Sequence, residues 1–205
     1  MDSKTVLIIG LGGLGCPAAL ELAGLGARRF VLMDPDAVAL ENLHRQILYK
    51  EPDLGKPKAV AAARVLESRF PGLKAEALGR PFKDETPGFV GGFDLVLEGT
   101  DDAECKFKVN RLCVRARIPC VIGGAIAYGG QAFAVPSGGK PCLSCLFGDG
   151  VQGDLATCAT AGILGPAAGV AGALMARLGA GLLAGTEPGG LAVFDGLKPR
   201  IRRVR

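Results

Sequence analysis

Residues 4–15 read Lys4-Thr-Val-Leu-Ile-Ile-Gly10-Leu-Gly12-Gly13-Leu-Gly15. The apolar run with β-branched residues predicts a buried strand, and Gly10, Gly12 and Gly15 match the pattern G-x-G-x-x-G. In this motif the glycines permit a tight turn, bring the backbone close to a phosphate and seat the next helix on the sheet. Free backbone N–H groups and the positive end of the helix dipole would bind an anion there. The motif alone fits a dinucleotide, ATP or a glycine turn without a ligand.

The composition is that of a globular protein. Of its 205 residues, 49% are hydrophobic and 21% are charged, which excludes a wholly disordered chain. We predict that residues 1–205 form a single domain. Thirty-two glycines, about twice the usual share of ~7%, indicate close backbone packing and ligand loops. The net charge is +4, and the basic cluster at residues 200–205 predicts a solvated terminal strand, so we expect no nucleic-acid partner.

The cysteine count and the N-terminal residues indicate the cellular compartment in which the protein is expected. The seven cysteines are an odd number, and residues 1–4 lead straight into the first strand. We therefore expect a reduced, cytoplasmic protein without a signal peptide. Residues 155–176 carry no charge and are long enough to span a membrane. Because Ala, Gly and Pro166 dominate this stretch, we predict a helix packed closely under a sheet and no membrane contact.

Strands and helices alternate along the chain. The periodicity predicts helices over residues 14–26, 55–70 and 103–116. It predicts strands over residues 29–33, 74–78, 92–100, 119–124 and 131–135, and a terminal pair over 191–195 and 200–204. This alternation indicates a Rossmann-like, doubly wound and mostly parallel α/β sheet with a C-terminal antiparallel edge.

An acidic residue follows the second predicted strand. Asp34 lies nineteen residues after Gly15, where doubly wound folds place the acid that binds ribose hydroxyls. The alternative is a turn-forming aspartate in the sequence Asp34-Pro35-Asp36. The register with the glycine loop favours the ligand role.

Three more charged residues are predicted at the same edge of the sheet. Arg45 and Lys58 begin helical segments after the second strand, and Asp101 follows another strand. A carboxylate that faces phosphates requires a cation between them, so Asp101 is a candidate Mg²⁺ ligand. Two cations suit the four negative charges of metal-free ATP better than the two of a dinucleotide pyrophosphate. For each cation alone, an exposed helix charge remains the alternative.

Several short motifs occur together in the order and spacing of one family. They are Gly10-Leu-Gly-Gly-Leu-Gly15, Asp34-Pro-Asp36, Asn42-Leu-His-Arg45-Gln46, Gly55-Lys-Pro-Lys58, Thr100-Asp101, Asn110, Pro141-Cys142-Leu-Ser-Cys145 and Thr157-Cys158. The chain resembles the ThiF/MoeB/HesA family, the ubiquitin-activating-like adenylyltransferases of sulfur-carrier proteins, over residues 6–203. The resemblance implies a nucleotidyltransferase that uses Mg-ATP to adenylate the C-terminal glycine carboxylate of a ThiS- or MoaD-like carrier and releases pyrophosphate. It also implies a homodimer that serves thiamine, molybdopterin or related sulfur-transfer biosynthesis.

The resemblance implies roles for single residues. Gly13 would lie against the nucleotide and Asp34 would hold the ribose. Asn42, Arg45 and Lys58 would contact the phosphates. The predicted cofactor-binding residues are Gly10, Gly12, Gly13, Gly15, Asp34, Asp36, Asn42, Arg45, Gln46, Lys58, Asp101 and Asp102. The predicted catalytic residues are Arg45, Lys58, Asp101 and Cys158.

Three cysteines carry further hypotheses. Cys158 corresponds to the cysteine that links covalently to the activated carrier in some family members, and a buried inert thiol is the alternative. It follows a predicted crossover loop over residues 146–157. Cys142 and Cys145 form a C-x-x-C knuckle that is half of a structural zinc site in the family, and four ligands are normally required. A redox couple is the other reading of this pair. The remaining cysteines, Cys16, Cys105, Cys113 and Cys120, are predicted to be inert core thiols.

The chain also departs from the family pattern. Lys106 stands where the family has an arginine that helps to bind the phosphates, and it keeps the charge but not the bidentate fork. Asp102 replaces a common asparagine. The chain begins at the first strand, whereas family members usually begin with a helix whose arginine reaches the partner subunit. These departures, with the incomplete cysteine set, leave a catalytically degenerate, partner-dependent subunit open as one alternative. The glycine motif with Asp34 leaves an NAD(P)-dependent oxidoreductase open as another.

Overall fold

One sheet organises the computed structural model, which describes residues 1–83, 85–148, 162–198 and 200–204. Its strands are β1 (Thr5–Ile9), β2 (Arg29–Met33), β3 (Lys74–Leu78), β4 (Leu95–Glu98), β5 (Cys120–Ile126), β6 (Gly129–Val135), β7 (Gly190–Asp195) and β8 (Arg200–Val204). The spatial order is β3-β2-β1-β4-β5-β6-β7-β8. Strands β1 to β5 pair in parallel and β5 to β8 pair antiparallel, so the predicted mostly parallel sheet with an antiparallel C-terminal edge is confirmed.

Helices cover both faces of the sheet. They are α1 (Gly15–Gly24), α2 (Lys58–Arg69), α3 (Pro87–Val90), α4 (Ala103–Ala116), α5 (Leu143–Phe147) and α6 (Gly165–Leu183), and short 3₁₀ turns span Leu40–Asn42 and Glu51–Asp53. Residues of α1, α2 and α6 share one core cluster, whereas α3, α4 and α5 contribute to a second. The sequence analysis did not predict the two shortest helices, α3 and α5.

The two cores explain the unbroken apolar runs of the central strands. In β1, Val6 and Ile8 belong to one core, while Leu7 and Ile9 belong to the other. Each of these four side chains is at most 2% exposed. A strand that is buried on both faces cannot alternate apolar with polar residues, which is typical of parallel sheets between helical layers.

Helix α6 packs closely against α1 and the sheet. A Cβ atom at Gly172 would lie 2.5 Å from the carbonyl oxygen of Leu14, so the helices can approach this closely only with glycine there. Among the described residues, α6 is the one helix long and apolar enough to cross a membrane, yet 56% of its most apolar window is buried inside the fold. These contacts agree with the predicted helix packed under a sheet.

The order of the strands places a crevice at the end of β1. This strand lies between β2 and β4, and the chain continues outward from it in both directions along the sheet. In doubly wound folds, ligands bind outside the carboxyl ends of the strands at such a reversal point. Most of the predicted cofactor-binding residues follow β1, β2 and β4, so the topology directs them toward this crevice.

Candidate functional site

The loop from β1 to α1 requires glycine at two positions. Gly10 has φ of +82°, and a Cβ atom there would lie 2.9 Å from the Thr100 nitrogen. A Cβ atom at Gly15 would overlap the carbonyl oxygen of Gly10. Within the described residues, the N–H groups of positions 12–14 donate to no other group. The loop therefore presents free backbone donors at the start of α1, which is a suitable environment for an anion.

Asp34 links this loop to the end of β2. Its Oδ2 atom accepts the Leu11 N–H at 2.7 Å, and its Oδ1 atom accepts the Asp36 N–H at 2.9 Å. The side chain is buried, and desolvation raises the pKa of Asp34 against these hydrogen bonds. The carboxylate thus forms the turn considered as an alternative and also lines the crevice, where its remaining lone pairs could accept hydroxyl protons.

Two cations, Lys58 and Arg45, line the same crevice. The Lys58 ammonium is buried and lies 2.8 Å from Asp36 Oδ2. The Arg45 side chain packs against the glycine loop, because a Cβ atom at Gly13 would lie 3.3 Å from Arg45 Cδ. Its guanidinium donates to Asn42 Oδ1 at 2.5 Å. Asn42 therefore orients the arginine beside the free backbone donors.

A crevice of about 410 Å³ joins these groups. The predicted site residues that line it are Gly10, Gly12, Gly13, Asp34, Asp36, Asn42, Arg45, Gln46, Lys58, Asp101 and Asp102. Gly15 does not line it, because this residue packs behind the loop against Gly10. Cys158 and most of the predicted loop 146–157 lie outside the described residues. The structure thus brings Arg45, Lys58 and Asp101 around the glycine loop.

Gln46 contributes an unusual polar group to the crevice. The residue is 3% exposed, and its Oε1 atom has no hydrogen-bond partner among the described residues. A buried amide oxygen without a partner costs free energy that a bound donor would recover. This observation is consistent with the predicted cofactor-binding role of Gln46.

The two aspartates after β4 differ in their partners. Asp102 Oδ1 accepts the Glu104 N–H at 2.8 Å and caps α4. The Asp101 carboxylate is paired with no group in the part of the chain that the structure describes. It is exposed and lines the crevice, so it is available to a ligand or a metal ion.

Sequence reasoning missed several residues that line the crevice. Arg80 and Phe82 follow β3, Cys105 lies in the first turn of α4, and Ile163 precedes α6. The position of Arg80 directly after a parallel strand is the signal that could have found it. Its guanidinium pairs with Glu85 and lies 5.6 Å from the Phe89 ring centroid, so neighbouring groups hold it in place.

Lys106 differs from the role that the resemblance implies. Its ammonium donates to Glu98 Oε2, to the Thr100 carbonyl and to the Gly123 carbonyl, at 2.7, 2.6 and 2.7 Å. An ammonium group has three protons, so all of its donors are occupied. Lys106 in this arrangement has no proton left for a phosphate. The buried partner Glu98 was not recognised in the sequence because it ends an apolar strand.

The cysteine pair lies outside the crevice. The Cys142 and Cys145 sulfur atoms are 3.3 Å apart at the start of α5, and Asn110 Oδ1 accepts the Leu143 N–H between them at 2.9 Å. Within the described ranges, no group of three or more histidine, cysteine or acidic residues could hold a metal ion. The pair supplies two of the four ligands that a structural zinc requires.

The cysteines predicted as core thiols are buried, as expected. Burial raises the pKa of Cys16 and of Cys105 to about 12. Cys113 and Cys120 are also buried, and the pKa of Cys120 is raised well above its ordinary value, chiefly by a hydrogen bond with Cys113 and by burial. The Cys16, Cys105 and Cys120 thiols therefore stay protonated at neutral pH.

The sheet, the glycine loop and the charged crevice define a nucleotide-binding α/β protein. The chain belongs to the ThiF family, whose profile matches residues 1–205, and the resemblance noted in the sequence is thereby confirmed. It is 40% identical over 212 residues to the sulfur carrier protein ThiS adenylyltransferase of Escherichia coli (strain K12), covering 100% of this chain and 82% of that protein. It is 34% identical to the molybdopterin-synthase adenylyltransferase of the same organism, covering 100% of this chain and 83% of that protein.

Longer relatives and solved structures extend this comparison. The adenylyltransferase and sulfurtransferase MOCS3 of Anopheles gambiae is 35% identical to this chain. The match covers 100% of this chain but only 48%, about half, of that longer protein. The crystal structure of E. coli MccB with ATP matches with a TM-score of 0.83 at 22% identity, covering 100% of this chain and 64% of that chain. At this identity the match confirms the fold alone.

Proposed function

We propose that the chain is an adenylyltransferase that uses ATP to activate the C-terminal glycine carboxylate of a ubiquitin-like sulfur-carrier protein. The observation that carries this proposal is the crevice, in which Arg45, Lys58 and Asp101 surround the free backbone donors of the glycine loop. Relatives named as adenylyltransferases, 34–40% identical over the whole chain, support the same reaction class. The products would be the carrier adenylate and pyrophosphate.

The charges of the crevice suit this chemistry. A carboxylate that attacks the α-phosphate brings two anions together, so cations must neutralise charge as the transition state forms. Arg45 offers a planar guanidinium, which can bind phosphate oxygens in a bidentate manner, and Asn42 orients it. Lys58 offers a buried ammonium that Asp36 holds at the crevice wall. No general base is needed, because the carrier carboxylate is already ionised at pH 7.

The donor set fits Mg²⁺ bound through the nucleotide. Asp101 is an exposed carboxylate without a protein partner among the described residues, and Mg²⁺ is usually held by one or two carboxylates together with substrate phosphates and water. We propose that Asp101 holds the ion, which would supply further charge neutralisation at the phosphates. Asp34 and Gln46 would orient the nucleoside, Asp34 by accepting its ribose hydroxyls.

Pyrophosphate exchange tests the proposal. The full chain is incubated with ATP, labelled pyrophosphate and purified ThiS- or MoaD-like carriers, and the expected result is carrier-dependent label in ATP. Arg45→Ala and Asp101→Ala should each lower the exchange rate by about 100-fold or more, since the first removes a cation at the reacting phosphates and the second removes the proposed Mg²⁺ ligand. Arg69→Ala, an exposed arginine at the end of α2, is the matched control and should leave the rate unchanged.

Two results would contradict the proposed adenylyltransferase function. Tight binding of NAD without binding of ATP would favour the oxidoreductase alternative. Binding of ATP without exchange in the presence of any carrier would favour the degenerate, partner-dependent subunit. Neither result is expected, because the relatives share the whole length of the chain.

Further parts of the proposal concern the assembly and the covalent chemistry. We propose that residues 1–205 form one adenylation domain and that the chain acts as a homodimer in the cytoplasm. The carrier protein would belong to the thiamine or molybdopterin pathway. The Cys158 thiolate would attack the carrier adenylate, forming a thioester and releasing AMP. Mass spectrometry of the wild-type chain and of the Cys158→Ser variant would test this step. Cys142 and Cys145 would bind zinc with two further ligands. Light scattering would give the oligomeric state, and metal analysis would give the zinc content.

A further inference from the structure

A buried ion pair lies under the turn that carries Asp101. Glu98, the last residue of β4, is 0% exposed, and Lys106 lies in the first turn of α4. The Lys106 ammonium donates to Glu98 Oε2 at 2.7 Å, and it also binds the carbonyl oxygens of Thr100 and Gly123. One side chain therefore ties β4, β5 and α4 together beside Thr100, which lines the crevice.

The second oxygen of Glu98 completes the arrangement. Its Oε1 atom accepts the Thr100 N–H at 2.8 Å and also the Thr100 hydroxyl proton. The N–H, hydroxyl and carbonyl of Thr100 are thus all held by the ion pair. Thr100 in turn lies against the glycine loop, since a Cβ atom at Gly10 would be 2.9 Å from its nitrogen. The peptide unit that precedes Asp101 is fixed relative to the glycine loop.

Stability alone does not account for this pair. Taking two charges out of water usually costs about as much as the pair gains, and apolar residues of the same volume often serve stability equally well. Burial raises the pKa of Glu98, and the nearby Lys106 opposes this effect. The arrangement fixes the turn instead, because Glu98 Oε1 accepts the N–H and hydroxyl protons of Thr100 while the Lys106 ammonium donates to the Thr100 carbonyl.

We propose that Glu98 and Lys106 are positioning residues that hold the Thr100–Asp101 turn so that the Asp101 carboxylate faces the crevice. Lys106 then acts on the nucleotide through Thr100 and Asp101 rather than by touching a phosphate. This inference rests on the proposed adenylyltransferase function and assigns two residues to it. It replaces the phosphate-binding role that the family resemblance implies for position 106.

A double-mutant cycle separates positioning from direct contact. Glu98→Gln keeps an oxygen for Thr100 but removes the charge that fixes Lys106, whereas Lys106→Met removes the ammonium. If the pair positions the turn, each variant should lower pyrophosphate exchange by about 100-fold, since misplacing a reacting group by about 1 Å costs that much. The double variant should be no slower than either single variant, because residues that act as a unit are not additive. Arg111→Met, an exposed change in α4, is the matched control.

Calorimetry gives a readout that does not depend on turnover. Without metal, ATP should bind the Lys106→Met variant within about threefold of the wild-type affinity, since Lys106 does not touch the nucleotide on this proposal. With Mg²⁺ present, the tightening of ATP binding that wild type shows should fall by about tenfold in both single variants, because the displaced Asp101 carboxylate no longer holds the ion well. The double variant removes both buried charges and keeps the test valid where a single variant fails to fold.

The outcomes that overturn the proposal differ from those that overturn the proposed function. A loss of metal-free ATP affinity by about tenfold or more in Lys106→Met, with Glu98→Gln unaffected, would establish direct phosphate contact and refute positioning. Additive losses in the double variant would refute it as well. If the wild-type chain binds ATP but exchanges no pyrophosphate with any carrier, the proposed function fails, while the metal dependence of ATP binding still decides the role of the pair.

Discussion

At the scale of single residues, the site depends on which atoms already have partners. Each oxygen of Asp34 accepts one backbone N–H, and these bonds join the glycine loop to the end of β2. Lys106 has no free donor, whereas the Asp101 carboxylate has no protein partner among the described residues. Asp34 and Asp101 carry the same charge but differ in how many of their acceptors are already used, and the sequence pattern does not show this difference.

Replacing Asp34 tests its link to the glycine loop. In Asp34→Asn, one carboxylate oxygen becomes an NH₂ group that cannot accept, so either Leu11 or Asp36 loses the partner of its N–H. We expect the free energy of unfolding to fall by about 1–3 kcal/mol, as for a buried donor left without a partner. Urea denaturation measures this change.

An exposed aspartate that accepts a similar backbone hydrogen bond within a turn provides the control for Asp34. Asp195 Oδ1 accepts the Leu197 N–H at 3.1 Å in an exposed position. Asp195→Asn should change the free energy of unfolding by no more than about 0.5 kcal/mol, since water can replace the lost acceptor. Equal effects of the two substitutions would contradict the role given to Asp34.

The site residues divide into those that sequence predicts and those that it cannot. Asp34 and Lys58 were predicted because strand ends and motif spacing place them at one edge of a parallel sheet. The partners of Lys106 were not predicted, because they depend on how α4 packs against the end of β4 and the middle of β5. Glu98 was overlooked because a single carboxylate in an apolar run looks like a strand end until its burial is known.

At the scale of elements, the contact between α1 and α6 supports the glycine loop from behind. A Cβ atom at Gly13 would lie 3.2 Å from Ala168 Cβ, and one at Gly172 would lie 2.5 Å from the Leu14 carbonyl oxygen. The loop is therefore held between the sheet and a helix from the far end of the chain. Long-range contacts of this kind are not visible in the motif itself.

Gly172→Ala tests this contact between the helices. The added methyl group overlaps the Leu14 carbonyl, so α6 must shift and the free energy of unfolding should fall by about 1–3 kcal/mol. ATP binding should weaken as well, because Leu14 ends the glycine loop. Gly169→Ala is the matched control in the same helix, since nothing lies within 4 Å of a Cβ atom there. It should stabilise the protein by about 0.5–1 kcal/mol through helix propensity, and a loss of stability there would contradict the packing described.

The segment that precedes α2 depends on Asp53. Its carboxylate binds Arg64 Nη2 at 2.6 Å, Lys56 Nζ at 3.3 Å and the Lys50 N–H at 3.3 Å. Desolvation would raise the pKa of Asp53, but the hydrogen bonds and charges of these groups outweigh it and lower the pKa below the ordinary value of 3.8. The ionised carboxylate therefore fastens the segment that leads to Lys58.

The sign of the pH dependence follows from the lowered pKa of Asp53. Its contribution to stability is present above the ordinary pKa of 3.8 and is lost as the pH falls through the lower pKa of the folded state. Asp53→Asn should lower the urea midpoint at pH 7 and make it less sensitive to acid between about pH 5 and pH 2. Urea titrations over this range measure both effects. If the urea midpoint of Asp53→Asn falls with decreasing pH as steeply as that of the wild type, the role given to Asp53 is wrong.

At the scale of the whole molecule, sequence predicts the architecture better than the site's internal contacts. Alternating elements, strand composition and the glycine motif together indicated the parallel sheet and its antiparallel edge, because these depend on local patterns repeated along the chain. Helices α3 and α5 were missed because segments of four and five residues show too few turns for a helical period. Thr86 and Pro87 at the start of α3 were the available signal.

Ligand binding to the folded chain links the crevice to global stability. A ligand that binds only the folded state at 100 times its dissociation constant stabilises by about 2.7 kcal/mol. For a chain of this size, ATP should therefore raise the melting temperature by about 5–10 °C in differential scanning calorimetry. The shift should shrink as salt is added, because Arg45 and Lys58 supply much of the attraction. NAD at the same concentration should give less than about 1 °C, since it lacks the charge that these cations complement.

A crevice without Arg45 and Lys58 provides the control for this thermal shift. The double variant Arg45→Ala, Lys58→Ala should lose most of the ATP effect, because the two cations proposed to bind the phosphates are then absent. Removal of two exposed charges elsewhere, in the double variant Arg69→Ala, Lys74→Ala, should leave the melting-temperature shift by ATP unchanged. Equal melting-temperature shifts from NAD and ATP in the wild-type chain would contradict the charge argument. They would show that the crevice does not distinguish the two phosphate charges of NAD from the four of ATP, so Arg45 and Lys58 would not determine the ligand.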